Sequence, residues 1–553
     1  MSDTVKVYCK NLDRSVEVPV QTSLSELDNI LDVKLPNMCV GARVNNKAQG
    51  LDYKVYNPKD VEFLDVSSLS GMRIYVRSLC FVLFKAIDEV IPGSRLRIEH
   101  PISRGYFCNI NNREIISDET LDRIRERMRE IVEDDLPFIR KSVHRSEAIR
   151  IFRERDMTDK VELLESTGML YTDIYKLDEH YDFYYGSLLP STGMLRVFDL
   201  QRYNDGLLLI VPQRKHPSKL ETVTPQPKMM NVLNEFTKFN FIAHLSNVGN
   251  MNKVISKGKF MPLIQVSEAL QEKKIINIAD EIARRQNVKV VLISGPSSSG
   301  KTTFSKRLSI QLMTNFINPI SISLDDYFVE REHSPRDENG DYDFESLYAL
   351  DLELFNDHIN KLINGEMVEI PTYNFGKGKK EYKGNKLKLR PGSVLILEGI
   401  HALNPALTTM IDEKYKFKIY VSALTSISLD DHNWIPTTDN RLIRRIVRDN
   451  QFRKCPAEAT IARWESVRAG EDKWIFPYQE NADMMFNSAM LYELSVLKKQ
   501  AEPLLQSVPA FSPYYAEAFR LLRFLSYFKA IEESEIPPLS LLREFLGGSS
   551  FNY

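Results

Sequence analysis

Hydrophobic and polar residues follow different patterns in different parts of the chain. Apolar residues alternate in TVKVYCKNLDRSVEVPV as in a pair of strands, and SLSELDNILD follows with helical spacing. The segment DETLDRIRERMREIVEDD predicts an amphipathic helix, because its apolar residues share one face: Leu121, Ile124, Met128, Ile131 and Val132. From about residue 286, strand-like and helix-like segments alternate, which is typical of a three-layer α/β domain with a parallel sheet.

These patterns divide the chain into five predicted regions. Residues 1–70 form a small α+β module of ubiquitin-like size, and residues 71–212 form a second α+β domain. A polar, proline-containing stretch opens the connector at 213–285, which continues with helical patterning. Residues 286–485 form the α/β domain, and residues 486–553 are helical in character.

Composition and charge exclude several classes of protein. The 73 basic and 75 acidic residues nearly cancel, so the chain as a whole is not a strongly basic nucleic-acid binder. The five cysteines form no CxxC pair, which favours reduced thiols in a cytoplasmic protein. The N-terminus lacks the design of a signal peptide, and charges interrupt the apolar runs before they could span a bilayer. We therefore expect a cytoplasmic protein without membrane contact.

The segment VKVVLISGPSSSGKTTFSKR predicts a phosphate-binding loop between a buried strand and a helix. It satisfies GxxxxGK[ST], whose small residues let backbone N–H groups and the helix N-terminus face phosphate oxygens. Lys301 would reach the β- and γ-phosphates of ATP, and the Thr302 hydroxyl would ligate Mg²⁺. The alternative is a glycine turn that matches by chance. The predicted nucleotide-binding residues are Gly295, Ser297, Ser298, Ser299, Gly300, Lys301, Thr302 and Thr303.

Two later apolar runs end in acidic residues. PISISLDDYF ends at Asp325 and Asp326, and SVLILEGIHAL carries Glu398 directly after its apolar residues. A carboxylate at such a strand end can accept a proton from an acceptor hydroxyl or hold Mg²⁺. We predict a catalytic and metal-binding role for Asp325 and Glu398, with Asp326 as the alternative base. Each could instead be a structural acid that caps a loop.

A basic helix follows in TTDNRLIRRIVRDNQFRK. Arg441, Arg445 and Arg448 share one face, which could close over the phosphates as a lid, and Arg444 and Arg453 lie in the same segment. Planar guanidinium groups suit the charge that develops on a transferred phosphoryl group. The alternative is a solvated basic surface.

In sequence and order, these motifs resemble the uridine kinase and phosphoribulokinase family of P-loop kinases. The similar segments are GPSSSGKTT, SLDDYF, YDFESLYALD, IPTYNF, VLILEGI and RLIRRIVRD. The resemblance implies that Asp325 is the general base for the acceptor hydroxyl and that Asp343 holds ribose hydroxyls. It also implies substrate contacts for Phe328, Tyr373 and Arg445, and lid roles for the catalytic arginines Arg448 and Arg453.

The resemblance implies an ATP- and Mg²⁺-dependent nucleoside kinase, with uridine or cytidine as the acceptor, and a homo-oligomer. One departure concerns the base: GKGKKEYKG follows PTYNF, and it lacks the histidine with which uridine kinases read the pyrimidine edge. A kinase for another small hydroxylated metabolite is therefore the second hypothesis.

The front half resembles parts of threonyl-tRNA synthetase. Residues 1–65 are similar to a TGS domain, and residues 71–200 are similar to the editing-type domain through PGSRLRIEHPISRGYFCNI and DFYYGSLLPSTGMLRVF. The positions of the editing residues are occupied by Arg77, Phe81, Tyr184 and Leu188, which cannot form a metal cluster or a hydrolytic site. We expect the fold without the editing chemistry. A third hypothesis follows, an RNA- or ribosome-associated nucleotide switch that contacts RNA through this half.

Overall fold

The computed structural model describes residues 4–111, 116–285, 287–337 and 340–552. The predicted boundary at residue 286 lies outside the described residues. Among the helices of these ranges, none is both long enough and apolar enough to cross a bilayer.

The first region is a mixed five-stranded sheet with one helix. The strands run in the order β2-β1-β5-β3-β4, with β1 parallel to β5 and antiparallel to β2, which confirms the ubiquitin-like fold. Its elements are β1 (Thr4–Cys9), β2 (Arg14–Pro19), α1 (Leu24–Leu31), β3 (Cys39–Val44), β4 (Lys47–Gln49) and β5 (Lys59–Asp65). Helix α1 starts at a capping box in which Ser23 and Glu26 satisfy each other's backbone N–H groups.

The second region contains a three-stranded sheet, β10-β9-β8, and a four-stranded sheet, β11-β12-β7-β6. The predicted amphipathic helix is α3, which buries Leu121, Ile124, Met128 and Ile131. The elements are α2 (Leu69–Val90), β6 (Arg95–Ile102), β7 (Gly105–Asn111), α3 (Asp118–Glu133), β8 (Ile139–His144), α4 (Arg145–Arg153), α5 (Thr158–Ser166), β9 (Tyr171–Leu177), β10 (His180–Phe183), β11 (Asp199–Tyr203) and β12 (Gly206–Ile210).

Three helices connect this region to the α/β domain: α6 (Pro227–Ile242), α7 (Val248–Ser256) and α8 (Phe260–Arg284). Helix α8 buries Ile275, Ile278 and Ile282 in the largest hydrophobic core. That core also takes residues from the second region, the α/β domain and the C-terminal helices, so the regions pack together through shared apolar contacts.

The α/β domain is built on a five-stranded parallel sheet in the order β14-β19-β13-β20-β21. Its elements are β13 (Val290–Ser294), α9 (Lys301–Thr314), β14 (Asn318–Ser323), α10 (Leu352–Ile363), β15 (Met367–Glu369), β16 (Thr372–Asn374), β17 (Lys379–Glu381), β18 (Lys386–Lys388), β19 (Ser393–Glu398), β20 (Lys416–Ser422), α11 (Thr437–Arg453), α12 (Ala457–Trp474) and β21 (Met484–Asn487). The predicted boundary at residue 485 falls inside β21, which the sequence analysis did not recognise as a strand of this sheet.

The C-terminal segment continues with α13 (Glu493–Gln506), α14 (Tyr515–Leu525) and α15 (Arg543–Leu546). Strand β13 is the central strand and is buried at every residue, as expected for a parallel sheet covered on both faces. The carboxyl ends of parallel strands meet at one edge of the sheet, where ligands bind in such folds. The loops that follow β13, β14 and β19 therefore converge.

A buried ionic cluster joins the second region to the loop before α11. Lys160 lies 2.7 Å from Asp182 and 3.0 Å from Asp430 of that loop, and all three side chains are fully buried. His432 of the same loop lies 2.7 Å from Asp182. The attraction between the cation and the two carboxylates offsets the free-energy cost of burying these charges. The nearby acids hold the pKa of Lys160 above its ordinary value despite its burial.

The variant Lys160→Met should be strongly destabilised. It removes the cation and leaves Asp182 and Asp430 buried together, which costs about 3–5 kcal/mol for a broken buried pair. Chemical or thermal denaturation measures the loss. The control is Lys34→Met, which breaks an exposed pair with Asp32 worth about 1 kcal/mol or less. Equal stability of Lys160→Met and wild type would show that the cluster does not hold the regions together.

Candidate active site

The predicted phosphate loop connects the central strand β13 to helix α9. Gly295 must be glycine, because a Cβ there would lie 1.9 Å from the carbonyl oxygen of Val421. Gly300 is the N-cap of α9, and Lys301 begins the helix. The loop thus brings the helix N-terminus, with its favourable partial charge for anions, to the carboxyl edge of the sheet.

The loop lines a cavity of about 2420 Å³ with Ser297, Ser298, Ser299, Gly300, Lys301 and Thr302. The hydroxyl oxygens of Ser298 and Ser299 are buried and have no hydrogen-bond partner among the described residues. Orphaned buried hydroxyl groups of this kind are satisfied when an oxyanion occupies the loop. The loop therefore fits the phosphates of a nucleotide.

Helix α11 holds this loop from the protein interior. Arg441 donates to the Ser297 carbonyl at 2.9 Å and pairs with Glu471, while Arg444 donates to the Ser298 carbonyl at 3.3 Å. Both guanidinium groups are fully buried. Arg441 therefore does not belong to the predicted lid face, because its side chain is held beneath the loop by ion pairing.

Three other arginines of this helix line the cavity beside the loop: Arg445, Arg448 and Arg453. Arg445 donates to the Ser297 hydroxyl at 2.9 Å. All three also lie within 3.4 Å of a single carboxylate, that of Asp449. One acid cannot neutralise three guanidinium groups, so an excess of positive charge faces the cavity and favours a phosphoryl group there.

The two predicted acids approach Lys301 from adjacent strands. Ser323 of β14 pairs with Glu398 of β19, and Asp325 follows two residues after Ser323. Both acids line the cavity with Lys301. Burial raises the pKa of Glu398 to about 7, and burial also raises that of Asp325, whereas Lys301 acts to lower both.

The neighbouring acid, Asp326, has a structural role. Its carboxylate accepts the backbone N–H of Tyr373 at 3.2 Å, which ties the turn after β14 to strand β16. Asp325 lines the cavity and Asp326 does not, so the geometry favours Asp325 as the base.

Mg²⁺ fits this arrangement. The Thr302 hydroxyl lies 3.4 Å from a Glu398 carboxylate oxygen, and Asp325 lies in the same cavity. These are the hard oxygen ligands that Mg²⁺ takes together with phosphate oxygens and water. Thr302, Asp325 and Glu398 are the residues that would hold the ion.

The predicted acceptor residues Phe328, Asp343 and Tyr373 line the same cavity. The rings of Phe328 and Tyr373 lie 5.5 Å apart, and Phe375, which the sequence analysis missed, lies 5.0 Å from Tyr373. Asp343 also lines the cavity. It accepts the backbone N–H of Glu345 at 3.1 Å. Three aromatic rings beside an acid suit a flat, hydroxyl-bearing acceptor.

Glu345 is a second residue that the sequence analysis missed, although it lies in the quoted segment YDFES. Burial and the neighbouring Glu471 raise its pKa to about 7, and Arg445 and Lys301 act in the opposite direction. A carboxyl group with such a pKa in a cleft is a candidate for a functional site. Only the tertiary structure brings it beside Arg445.

Thr303, a predicted nucleotide-binding residue, is bonded to an acid of this chain. Its side chain is fully buried, and Glu544 of α15 accepts both its backbone N–H at 3.1 Å and its hydroxyl at 2.7 Å. Glu544 itself lines the cavity. An acid from the C-terminal segment therefore occupies a first-turn N–H of α9, which is an anion-binding group of such loops.

In the second region, three of the four predicted editing positions belong to the hydrophobic core. Phe81, Tyr184 and Leu188 are at most 3% exposed, and the rings of Phe81 and Tyr184 lie 5.9 Å apart. Arg77 instead lines the cavity. The four side chains make no cluster of metal ligands.

Residues 290–494 match the Phosphoribulokinase / Uridine kinase family. The match begins at β13 and ends within α13, so it includes β21. It confirms the resemblance that the motifs indicated. Among solved structures, "a Possible Uridine Kinase from Bacillus stearothermophilus" aligns at 17% identity with a TM-score of 0.25, covering 38% of this chain and 98% of that chain.

The N-terminal half matches threonine–tRNA ligases, which confirms the second resemblance. The enzyme of Rubrobacter xylanophilus is 33% identical over 188 residues, which are 34% of this chain and 29% of the ligase. The enzyme of Desulforamulus reducens is 28% identical over 198 residues, 35% of this chain and 31% of the ligase. This chain thus spans about three-tenths of the length of these relatives.

Because the pKa of Glu345 is raised, the stability of the variant Glu345→Gln relative to wild type should depend on pH. Between pH 4.5 and about 7 the unfolded chain loses this proton while the folded protein keeps it, so wild-type stability falls across that window. Glutamine removes this loss. The stability of the variant relative to wild type should therefore increase by roughly 1–3 kcal/mol from pH 4.5 to pH 8.

Thermal unfolding of the nucleotide-free protein at the two pH values measures this difference. Glu366→Gln, at an exposed position of the same domain, is the control and should show a pH-independent difference from wild type. A pH-independent difference for Glu345→Gln as well would contradict the raised pKa.

The variant Glu544→Gln should bind ATP more tightly than wild type. It removes a negative charge from the N-terminus of α9, where an acid and a phosphate compete for the same N–H group. A charge at a helix terminus contributes about 0.3–1 kcal/mol, which corresponds to an affinity gain of about two- to five-fold.

Calorimetric titration with a non-hydrolysable ATP analogue at low ionic strength measures the effect. Glu532→Gln, on the same segment but outside the cavity wall, is the matched control and should leave the affinity unchanged. Weaker binding by Glu544→Gln would instead show that this acid helps to hold the nucleotide or its metal ion.

Proposed function

We propose that this chain is an ATP-dependent kinase that transfers the γ-phosphate to the 5′-hydroxyl of a nucleoside, with uridine or cytidine as the preferred acceptor. The observation that carries the proposal is the convergence of Lys301, Asp325 and Glu398 on one cavity, at the carboxyl edge of a parallel sheet. The family match over residues 290–494 supports the same reaction class.

The side chains around the loop supply the parts of phosphoryl transfer. Lys301 and the arginines Arg445, Arg448 and Arg453 neutralise the charge that develops on the transferred group. Mg²⁺ bound at Thr302, Asp325 and Glu398 would supply charge neutralisation of the phosphates. These residues orient the nucleotide without a covalent intermediate, so positioning and electrostatics carry the rate enhancement.

Asp325 is the proposed general base. Its carboxylate lines the cavity together with Lys301, where it can accept the proton of an acceptor hydroxyl. The acceptor hydroxyl gives its proton to Asp325 as its oxygen bonds to the γ-phosphorus. The bond between that phosphorus and the β–γ bridging oxygen breaks, and ADP leaves with the electron pair.

Two features of the cavity lining support a nucleoside as the acceptor. The rings of Phe328, Tyr373 and Phe375 form an aromatic corner for a planar base. Asp343 and Glu345 line the same cavity and can accept hydrogen bonds from ribose hydroxyl groups. The lining of this cavity therefore offers aromatic rings for a base, acids for ribose hydroxyl groups and arginines for the phosphates.

The test is an ADP-release assay with ATP, Mg²⁺ and a panel of nucleosides, followed by mass measurement of the product. Pyrimidine nucleosides should stimulate ADP release saturably. Lys301→Ala should reduce turnover by about 10²–10³-fold or more, since it removes charge stabilisation of the transferred group. Asp325→Asn should reduce it by about 10²-fold or more while ATP still binds.

Asp326→Asn is the matched control for Asp325→Asn, because the neighbouring acid holds Tyr373 and does not line the cavity. Wild-type turnover by Asp325→Asn would remove this residue as the base. Saturable activity with non-nucleoside alcohols alone would support the second hypothesis, a kinase for another hydroxylated metabolite.

A further inference from the structure

The cavity that contains the phosphate loop continues into the second region. Its wall there is formed by Arg77 of α2, Tyr106 of β7, Tyr185 and Trp434. We call this part of the cavity the Arg77 chamber. The rings of Tyr106 and Trp434 lie 4.6 Å apart, and Trp434 belongs to the loop that leads into α11.

The charges around the chamber leave one cation without an acid. Arg520 lies 2.6 Å from both Asp439 and Glu517, and Arg73 lies 2.7 Å from Glu517. Arg77 has no carboxylate within ion-pair distance among the described residues. Its described contacts are with Tyr185, whose ring centroid lies 4.9 Å from the guanidinium carbon and whose hydroxyl acts to raise the pKa of Arg77.

The surroundings of Arg77 oppose its charge. Its side chain is mostly buried, and burial together with Arg73 and Arg520 lowers its pKa. A guanidinium in such a place is costly unless an anion pairs with it. The backbone also leaves room for it, because a Cβ on Gly186 would lie 2.2 Å from the nearer Nη atom of Arg77. The chain thus accommodates a cation that no side chain of the described residues neutralises.

We propose that the Arg77 chamber binds a small molecule that carries a planar ring and one oxyanion, either phosphate or carboxylate. The planar fork of Arg77 pairs with the oxyanion through two parallel hydrogen bonds. The rings of Tyr106, Tyr185 and Trp434 contact the planar part of the ligand. This site is separate from the phosphate loop, and nothing in the phosphoryl transfer uses Arg77.

The position of the chamber connects it to the phosphate loop. Two residues separate Trp434 from the first residue of α11. This helix carries the buried Arg441 and Arg444, which hold the carbonyl oxygens of the phosphate loop. A ligand that contacts Trp434 therefore touches the segment that leads to this helix. The Arg77 chamber is thus a proposed effector site in the front half, at which a bound ligand acts on the phosphate loop through α11.

Crystals of the full chain soaked in sodium selenate or in 4-iodobenzoate test the proposal. Selenium and iodine give anomalous peaks, and the two probes represent a phosphate-like ligand and an aromatic carboxylate. We expect a peak of at least one probe beside Arg77. The phosphate loop is the internal reference, since it should take selenate in the same crystal.

The outcomes separate the two proposals. A selenate peak in the loop with neither probe beside Arg77 overturns the chamber and leaves the kinase intact. A peak beside Arg77 with an empty loop supports the chamber and counts against the phosphate site. Selenate alone in the chamber identifies a phosphate-type ligand, and 4-iodobenzoate alone identifies an aromatic carboxylate.

Binding in solution supplies a second measurement with a matched control. Tryptophan fluorescence should change saturably with the probe that binds, because Trp434 forms part of the wall. Arg77→Gln should weaken this binding by about tenfold or more, as expected for the loss of a charged hydrogen-bond pair. Arg43→Gln makes the same change at another cavity arginine, which already pairs with Glu62, and should stay within about two-fold of wild type.

The thermal stability of Arg77→Gln distinguishes binding from a merely structural role. Loss of an unpaired, mostly buried cation should not lower the unfolding temperature, and the probe should raise it in wild type alone. If Arg77→Gln is less stable than wild type and binds the probe equally well, Arg77 only packs against Tyr185 and the proposal is wrong.

Discussion

Two buried guanidinium groups under the phosphate loop set the geometry of the whole site. Arg441 and Arg444 hold the carbonyl oxygens of Ser297 and Ser298, and the carboxylates of Glu471 and Glu493 pair with them in the interior. Because both arginines belong to α11, the helix that carries the cavity-lining Arg445, Arg448 and Arg453 is bonded directly to the loop. The ion pairs that fix the loop are buried, so solvent screens them little.

The same helix links the kinase-family domain to the front half. The loop before α11 places Asp430 and His432 in a buried cluster with Lys160 and Asp182 of the second region. The largest hydrophobic core also joins these regions to the C-terminal helices. A contiguous path of buried contacts therefore runs from the front half through this loop and helix to the phosphate loop.

The second region differs from what its resemblance names at the editing positions. At the positions where the resemblance expects editing residues, Phe81, Tyr184 and Leu188 fill the core with apolar volume. Arg77 is the exception, since it faces the shared cavity. The C-terminal segment adds a further element beyond the family match, because Glu544 bonds to the first turn of α9.

The sequence by itself determined the local elements and predicted the reaction class. The spacing of GPSSSGKT between a buried strand and a helix specified the phosphate loop, and the amphipathic pattern of 118–133 specified α3, because both depend on neighbours along the chain. Only the tertiary structure decided which acids and arginines line the cavity that contains the phosphate loop. Asp325 and Asp326 are adjacent in sequence, yet one lines the cavity and the other bonds to Tyr373. Contacts between distant segments likewise set the surroundings of Glu345, Glu544 and Arg77. Burial and charge pairing at such contacts leave no periodic pattern in the sequence, so sequence analysis does not detect them.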